Sequence, residues 1–120
     1  MRLSLLVAVF FVAFIPQSTL AAVPNCSGAD SWPSGNAFAQ LKNAGILESE
    51  TTDFTKTRVN RLASEKIRKD IYRQIYEITF VKKAGDEVTV VAVSDASHEE
   101  CSMGGVKVFV VSQRLGDLKK

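Results

Sequence analysis

Residues 71–94 have the sequence IYRQIYEITFVKKAGDEVTVVAVS, in which two apolar-rich runs flank a short polar segment. The first run, Ile71 to Val81, is dense in β-branched and aromatic residues, which favours a strand. Residues 82–86, KKAGD, have the length and the glycine that are typical of a hairpin turn. The second run, Glu87 to Ser94, predicts a central strand with apolar residues on both faces. We therefore expect these two runs to pair as antiparallel strands.

Further segments extend this hairpin on both sides. The run VKVFVVS, from Val106 to Ser112, predicts another strand after a polar loop that covers Asp95 to Gly105. Thr57 to Ile67 is ambiguous, because its apolar residues also fit the spacing of a helix. We favour a first strand over residues 57–66, which Arg68-Lys69-Asp70 turns into the next strand. The sheet is thus expected to hold three or four strands.

A short helix is expected before the sheet. Ser34 is a suitable N-cap for a helix that runs through Ala44. Gly45 stands where a helix stops, and Ile46 can fold back on Leu41 in the hydrophobic contact of a Schellman ending. The sequence therefore predicts an α+β fold, with one short N-terminal helix packed on an antiparallel β-meander.

The N-terminus has the features of an export signal. Met1-Arg2 supplies a positive start, Leu3 to Ile15 is an apolar run, and small residues follow at Ala21 and Ala22. This is the pattern of a cleavable secretory signal. A run of this length falls short of the ~20 residues that span a bilayer. We expect a signal peptide over residues 1–21, a single small domain over residues 22–120, a periplasmic or secreted location, and no membrane insertion after cleavage.

Two cysteines, Cys26 and Cys101, remain after that cleavage. An even number of cysteines in an exported chain predicts a disulfide. The alternative is a metal site, because His98, Glu99 and Glu100 directly precede Cys101. Structural zinc normally requires four Cys or His ligands, whereas the chain has one His and two Cys. We therefore predict the disulfide, with no metal and no other cofactor.

Three runs carry a resemblance to other proteins. DASHEECSMGGVKVFVVS at residues 95–112, RLASEKI at residues 61–67 and YRQIYEITF at residues 72–80 together resemble a group of small exported proteins of Gram-negative bacteria. The resemblance covers most of the mature chain. It implies a compartment, the bacterial periplasm, and carries no implication about chemistry.

The sequence offers few residues for catalysis. His98 is the only histidine, so any Ser-His-Asp or Cys-His arrangement must include it. A disulfide at Cys101 would remove the thiol nucleophile. A Gly-rich phosphate loop, a CxxC redox pair and an HExxH zinc helix are all absent from the sequence. We predict that the protein is not an enzyme, and a small hydrolase that uses His98 is the less favoured alternative.

Charge is distributed unevenly along the chain. Lys56 to Arg73 holds seven basic and two acidic residues, whereas Asp86 to Glu100 holds five acidic residues and no Lys or Arg. The formal net charge of +2 is far from the basic excess of a general nucleic-acid binder, so no nucleic-acid partner is expected. One interpretation is pairing of opposite charges across strands. The other is a polarised surface that steers a charged partner.

The loop from Asp95 to Gly105 is the predicted contact surface. A disulfide at Cys101 would anchor it, and an anchored loop loses less conformational freedom when it binds. The leading hypothesis is a non-enzymatic inhibitor or immunity protein that acts on another periplasmic protein, such as a cell-wall hydrolase or a toxin. An accessory component of a secretion or conjugation assembly is the alternative. The predicted partner-binding residues are Asp95, His98, Glu99, Glu100 and Met103.

Overall fold

The computed structural model of the chain describes residues 22–113 and 115–116. The strands of these residues form one antiparallel sheet in which strands that are neighbours in sequence pair with each other. The predicted α+β fold with a meander is therefore confirmed, while the predicted signal peptide lies outside the described residues. The elements are the helix α1 (Trp32–Asn43) and the strands β1 (Thr52–Arg68), β2 (Ile71–Lys82), β3 (Glu87–Ala96) and β4 (Lys107–Val111).

The central hairpin of β2 and β3 forms as the sequence predicts. At its turn, Lys82 N–H donates to Asp86 O at 2.7 Å, and Gly85 has a φ of 104°, a conformation that glycine adopts without steric cost. β3 continues two residues beyond the predicted end, to Ala96. Asp95 lies opposite Arg73 in the ladder, and this cross-strand partner extends the strand into what the sequence suggested was loop.

β1 is a strand over its whole length, so the helical alternative for this segment was wrong. It begins at Thr52, five residues before the predicted start, and its pairing with β2 contains three register shifts. In the first shift, residues 54–57 stand against Phe80 alone. The ring of Phe54 lies edge-on against Phe38 of α1, with ring centroids 4.8 Å apart. This bulge therefore brings the start of β1 against the helix.

α1 begins three residues earlier than a helix capped by Ser34 would. Ser31 is the N-cap residue, with an extended backbone, and Pro33 occupies the first turn. Proline is favoured there because its missing N–H group has no partner within the helix. Ser34 lies inside the first turn and is buried, so its prediction as the N-cap was wrong.

The end of α1 falls close to the predicted position. Gly45 has a φ of 73°, and Ile46 N–H donates to Leu41 O at 2.9 Å, which closes the helix as a glycine stop does. The apolar contact falls one residue later than predicted: Ile46 is 39% exposed, whereas Leu47 is 1% exposed.

The core lies between α1 and one face of the sheet. Burial of each large apolar side chain stabilises the fold by roughly 1.5–3 kcal/mol relative to exposure. The opposite face is half exposed at Ile75, Val91 and Val93. The core residues include Leu41, Leu47, Tyr76, Ile78, Phe80, Val90, Ala92 and Val106.

No helix within residues 22–113 or 115–116 is long and apolar enough to cross a membrane.

Candidate functional site

Three segments meet at one end of the sheet, and we call them together the rim. They are the N-terminal arm (residues 22–27), the β1–β2 turn (residues 68–71) and the β3–β4 loop (residues 97–106). The antiparallel order brings the turn and the loop to the same end, because β2 begins and β3 ends there, with Tyr72 paired to Ala96. The arm reaches this end through bonds to the β3–β4 loop and to strands β1 and β2.

The disulfide joins the arm to the loop. Cys26 and Cys101 are bonded, with Cα atoms 5.8 Å apart, and Cys26 is buried. The predicted disulfide is therefore confirmed. The bond closes 75 residues of chain, and the loss of entropy in the unfolded chain corresponds to a stabilisation of ~4 kcal/mol.

A buried polar network fixes the rest of the arm. Pro24 O accepts hydrogen bonds from Gln74 Nε2 at 2.7 Å and from Arg61 Nη1 at 2.8 Å. Cys26 N–H donates to the hydroxyl of Tyr76 at 3.1 Å, and that hydroxyl donates to Gln74 Oε1 at 2.6 Å. Gln74 and Tyr76 are fully buried, and burial raises the pKa of Tyr76, which favours the protonated donor. The arm is thereby held by the sheet at alternate residues.

His98 links all three segments of the rim. Its Nδ1 contacts the carboxylate of Asp70 in the turn, and its Nε2 lies 2.6 Å from the carbonyl oxygen of Ala22 in the arm. Both partners only accept hydrogen bonds, so both ring nitrogens must carry a proton, which favours the imidazolium. The hydrogen bond with Asp70, followed by the one with Ala22, raises the pKa of His98, and the bond with His98 lowers the pKa of Asp70.

This arrangement engages both ring nitrogens of His98 in contacts within the protein. A general base needs a ring nitrogen that faces the proton it removes, whereas both nitrogens of His98 face protein acceptors. Cys101 is bonded to Cys26 and offers no thiol. In the part of the chain that the structure describes, no group of three or more His, Cys, Asp or Glu side chains is placed to hold a metal ion. The geometry supports a bracing role for His98.

The first half of the β3–β4 loop is a tight turn around Ser97. The Ser97 hydroxyl accepts from Glu99 N–H at 3.2 Å and from Glu100 N–H at 3.1 Å, and Ser97 N–H donates to Glu100 O at 2.9 Å. Ser97 is buried, while the side chains of Glu99 and Glu100 are exposed. The loop therefore presents two carboxylates from a fixed backbone.

The second half of the loop is tied to α1. The indole Nε1 of Trp32 donates to Gly104 O at 3.2 Å, and Gln40 Nε2 donates to Val106 O at 2.7 Å. Gly104 has a φ of 137°, which a residue with a side chain rarely adopts. Met103, 37% exposed, lies between these contacts and the disulfide. Both halves of the loop are thus held by neighbouring elements.

The predicted partner-binding residues divide into two groups. His98, Glu99, Glu100 and Met103 all lie in the rim. Asp95 does not, because it belongs to β3, and its carboxylate oxygens lie 3.0 and 3.2 Å from the guanidinium of Arg73. The loop begins at Ser97, so the predicted boundary at Asp95 was wrong. The pairing of Arg73 with Asp95 satisfies both charges within the sheet.

The rim carries both signs of charge. Arg68 and Lys69 are exposed at the β1–β2 turn, and Glu99 and Glu100 are exposed at the loop beside it. Elsewhere, pairing across strands accounts for part of the uneven charge distribution, as shown by the ion pairs Arg58–Glu87 and Arg73–Asp95. Exposed pairs of this kind stabilise a fold only weakly.

Sequence reasoning missed several residues that fix the rim. Asp70 lies 28 residues before His98, and Trp32 lies 72 residues before Gly104, so no local pattern links them. One signal was present in the sequence: aspartate tolerates the left-handed conformation of tight turns, and Asp70 has a φ of 51°. That signal marks the turn but gives no indication of the contact with His98.

A scan against protein-family models, a search of curated proteins and a search of solved structures each found no match to this chain. The resemblance to exported proteins of Gram-negative bacteria stays a prediction.

Proposed function

We propose that the protein is an exported, non-enzymatic binding protein of the inhibitor or immunity type. Its rim enters a groove of another protein in the periplasm, such as a cell-wall hydrolase or a toxin. One observation carries the proposal: segments from distant parts of the chain are bonded to one another at one end of the sheet, while charged side chains at their tips stay exposed.

Bracing of this kind favours tight binding. A flexible loop must be ordered when it binds, at a cost of roughly 0.5–1.5 kcal/mol for each immobilised side chain. The backbone of the β3–β4 loop is already fixed by the disulfide, by the Ser97 turn and by Trp32. The ordering of the loop backbone has therefore been completed by folding, and binding has to order only the exposed side chains.

The exposed side chains indicate the chemistry of the partner. Glu99 and Glu100 project from the loop, and Met103 adds an apolar contact. A groove that accepts the loop is expected to carry basic residues facing these carboxylates. Complementary charges also increase the rate of encounter.

The N-terminal sequence and the disulfide support a location outside the cytoplasm. The N-terminal pattern is that of a secretory signal, and a disulfide persists where the environment is oxidising. Fractionation of the native host tests this directly: recovery of the processed, oxidised protein in the periplasm or medium supports the proposal. Recovery of an unprocessed chain with two reactive thiols in the cytoplasm would contradict it.

The binding test uses the purified mature protein as bait in a periplasmic extract, followed by affinity measurements with the captured partner. We expect E99A combined with E100A to weaken binding by about tenfold or more, equivalent to ~1.4 kcal/mol. The matched control is E48A combined with E50A. These two acidic residues are also exposed but lie next to Thr52, which pairs with Lys82 at the far end of the sheet.

Two outcomes would contradict the proposal that the rim binds the partner. Equal affinity of the E99A/E100A variant and the wild type would remove the loop from the interface. Retention of the wild type in a membrane-bound complex, with no single partner released, would favour the role in an envelope assembly instead.

A further inference from the structure

The two edges of the sheet differ in how they are protected. An edge strand exposes unpaired backbone groups, and proteins usually guard such edges with charges, prolines or bulges. β1, at one edge, has three register shifts and carries five basic and two acidic residues. Both features hinder the addition of another strand. β1 is therefore a guarded edge.

β4, at the other edge, has fewer of these protections. It pairs with β3 in an uninterrupted register from Thr89–Val111 to Val93–Lys107. Lys107 is its only charged residue, and it contains no proline. Phe109 is 57% exposed and Val110 is 50% exposed. Since consecutive residues of a strand point to opposite faces, both faces of this edge expose a large apolar side chain.

We propose that β4 pairs antiparallel with β4 of a second copy of this chain, which joins two four-stranded sheets into one of eight strands. Strand addition at an open edge provides main-chain hydrogen bonds, and alternating side chains provide specificity. A two-fold axis that passes beside Phe109 relates the two copies. The same surface of each copy then forms the contact, as in a closed dimer.

The sequence of β4 is complementary to itself in this register. Phe109 faces Phe109 of the second copy, Val108 faces Val110, and Lys107 faces Val111. The pairing therefore brings no like charges together within the strand. Pairing of β1 with itself would instead bring two basic strands together. Pairing of β1 with β4 would leave one free edge on each copy and would form open chains of molecules.

The dimer is compatible with the proposed function and does not depend on it. β4 begins directly after the β3–β4 loop, so the rim lies at the N-terminal end of this strand. Antiparallel pairing places the two rims at opposite ends of the joined sheet. Each rim stays exposed, and one dimer can bind two partner molecules.

The test measures self-association of the mature protein by sedimentation velocity over a concentration series. We expect a monomer–dimer equilibrium for the wild type. F109K should weaken association by at least about tenfold, because like charges directly opposite each other in a ladder destabilise the pairing. L62K is the matched control, because Leu62 on β1 is 56% exposed, against 57% for Phe109. It should leave the dimer intact.

A mixing experiment tests the register. F109K and F109E should each be monomeric alone and should form a dimer when mixed, because the two substituted positions face each other. Intact circular dichroism and an oxidised disulfide confirm that each variant is folded. A wild type that stays monomeric at every concentration overturns the proposal, as does disruption by L62K instead of F109K. Binding of an extended apolar peptide to a monomeric wild type assigns the edge to a different chain and overturns it too.

Discussion

The loops at the two ends of the sheet satisfy their polar backbone groups in different ways. At the rim, the loops bond to segments that are distant in sequence: Cys26 to Cys101, Ala22 to His98, and Trp32 to Gly104. At the far end, most hydrogen bonds are short in sequence, such as Lys82 N–H to Asp86 O and Gly85 N–H to Lys82 O, and one longer bond joins Lys83 N–H to Thr51 O. A loop that only connects two strands needs local bonds to satisfy its backbone. The long-range bonds of the rim exceed that need, and this excess supports the proposal that the rim is a contact surface.

The largest effect is expected from removal of the disulfide. C26S combined with C101S should lower the free energy of unfolding by ~4 kcal/mol, because the unfolded chain regains the entropy of an open loop. Urea titration measures the loss. Amide exchange of the folded variant should accelerate in residues 97–106 more than in residues 82–86. Equal acceleration at both ends would show that the disulfide stabilises the whole fold without a particular effect on the rim.

A smaller effect is expected from the hydroxyl of Tyr76. Y76F removes the acceptor of Cys26 N–H and the donor to Gln74, and buried polar groups without partners cost about 1–3 kcal/mol. Thermal or urea unfolding gives the difference. Y72F is the control, since Tyr72 contacts His98 through its ring, with centroids 5.3 Å apart, and the substitution keeps that ring. A loss no greater than that of Y72F would show that the network does not hold the arm.

The smallest effect depends on pH and concerns His98. Its raised pKa means that its contribution is complete below its ordinary pKa of 6.5 and is lost as the pH rises through the raised value. The lowered pKa of Asp70 means that its contribution is complete above 3.8 and is lost as the pH falls through the lowered value. The pair should therefore stabilise the fold most between about pH 4 and pH 6.5.

Urea unfolding of H98A and the wild type near pH 5.5 and pH 8.5 tests this window, and the difference between the two proteins should be larger near pH 5.5. G85A at the far end is the control. An alanine at a φ of 104° should cost ~1 kcal/mol or more at both pH values, since no titrating group is involved. A pH-independent loss in H98A would mean that the ion pair with Asp70 contributes nothing.

Much of the fold followed from local patterns. Local conformational preference accounts for β2, through its β-branched and aromatic residues, and for the turn at Gly85. Simple chemistry, the oxidation of two cysteines, accounts for the disulfide. The start of α1 was misplaced because Ser34 and Ser31 are both of a residue type that caps helices. The preference of Pro33 for the first turn and the burial of Pro33 and Ser34 both favour Ser31. The local sequence pattern thus predicted which helix and strands form more accurately than it predicted where they begin and end.

The candidate site was only partly predictable. Charge and the disulfide pointed to the loop that holds Glu99 and Glu100. The contacts that fix it, through Asp70, Trp32 and Gln40, depend on how the meander and the helix pack, and no spacing in the sequence encodes that packing. Asp95 was assigned to the loop because its pairing with Arg73 becomes visible only once the register of β2 and β3 is known.

The meander also has a consequence for the order of folding. Strands that are neighbours in the sheet are neighbours in the chain, so the sheet can form from successive hairpins with short loops to close. The bonds that join the arm to the strands and to the loop span 37 to 76 residues, so we expect them to close after that framework has formed. When the arm docks, its cysteine meets the one other cysteine of the sequence. Oxidation within a single molecule therefore has one possible product, and no isomerase is needed to correct it.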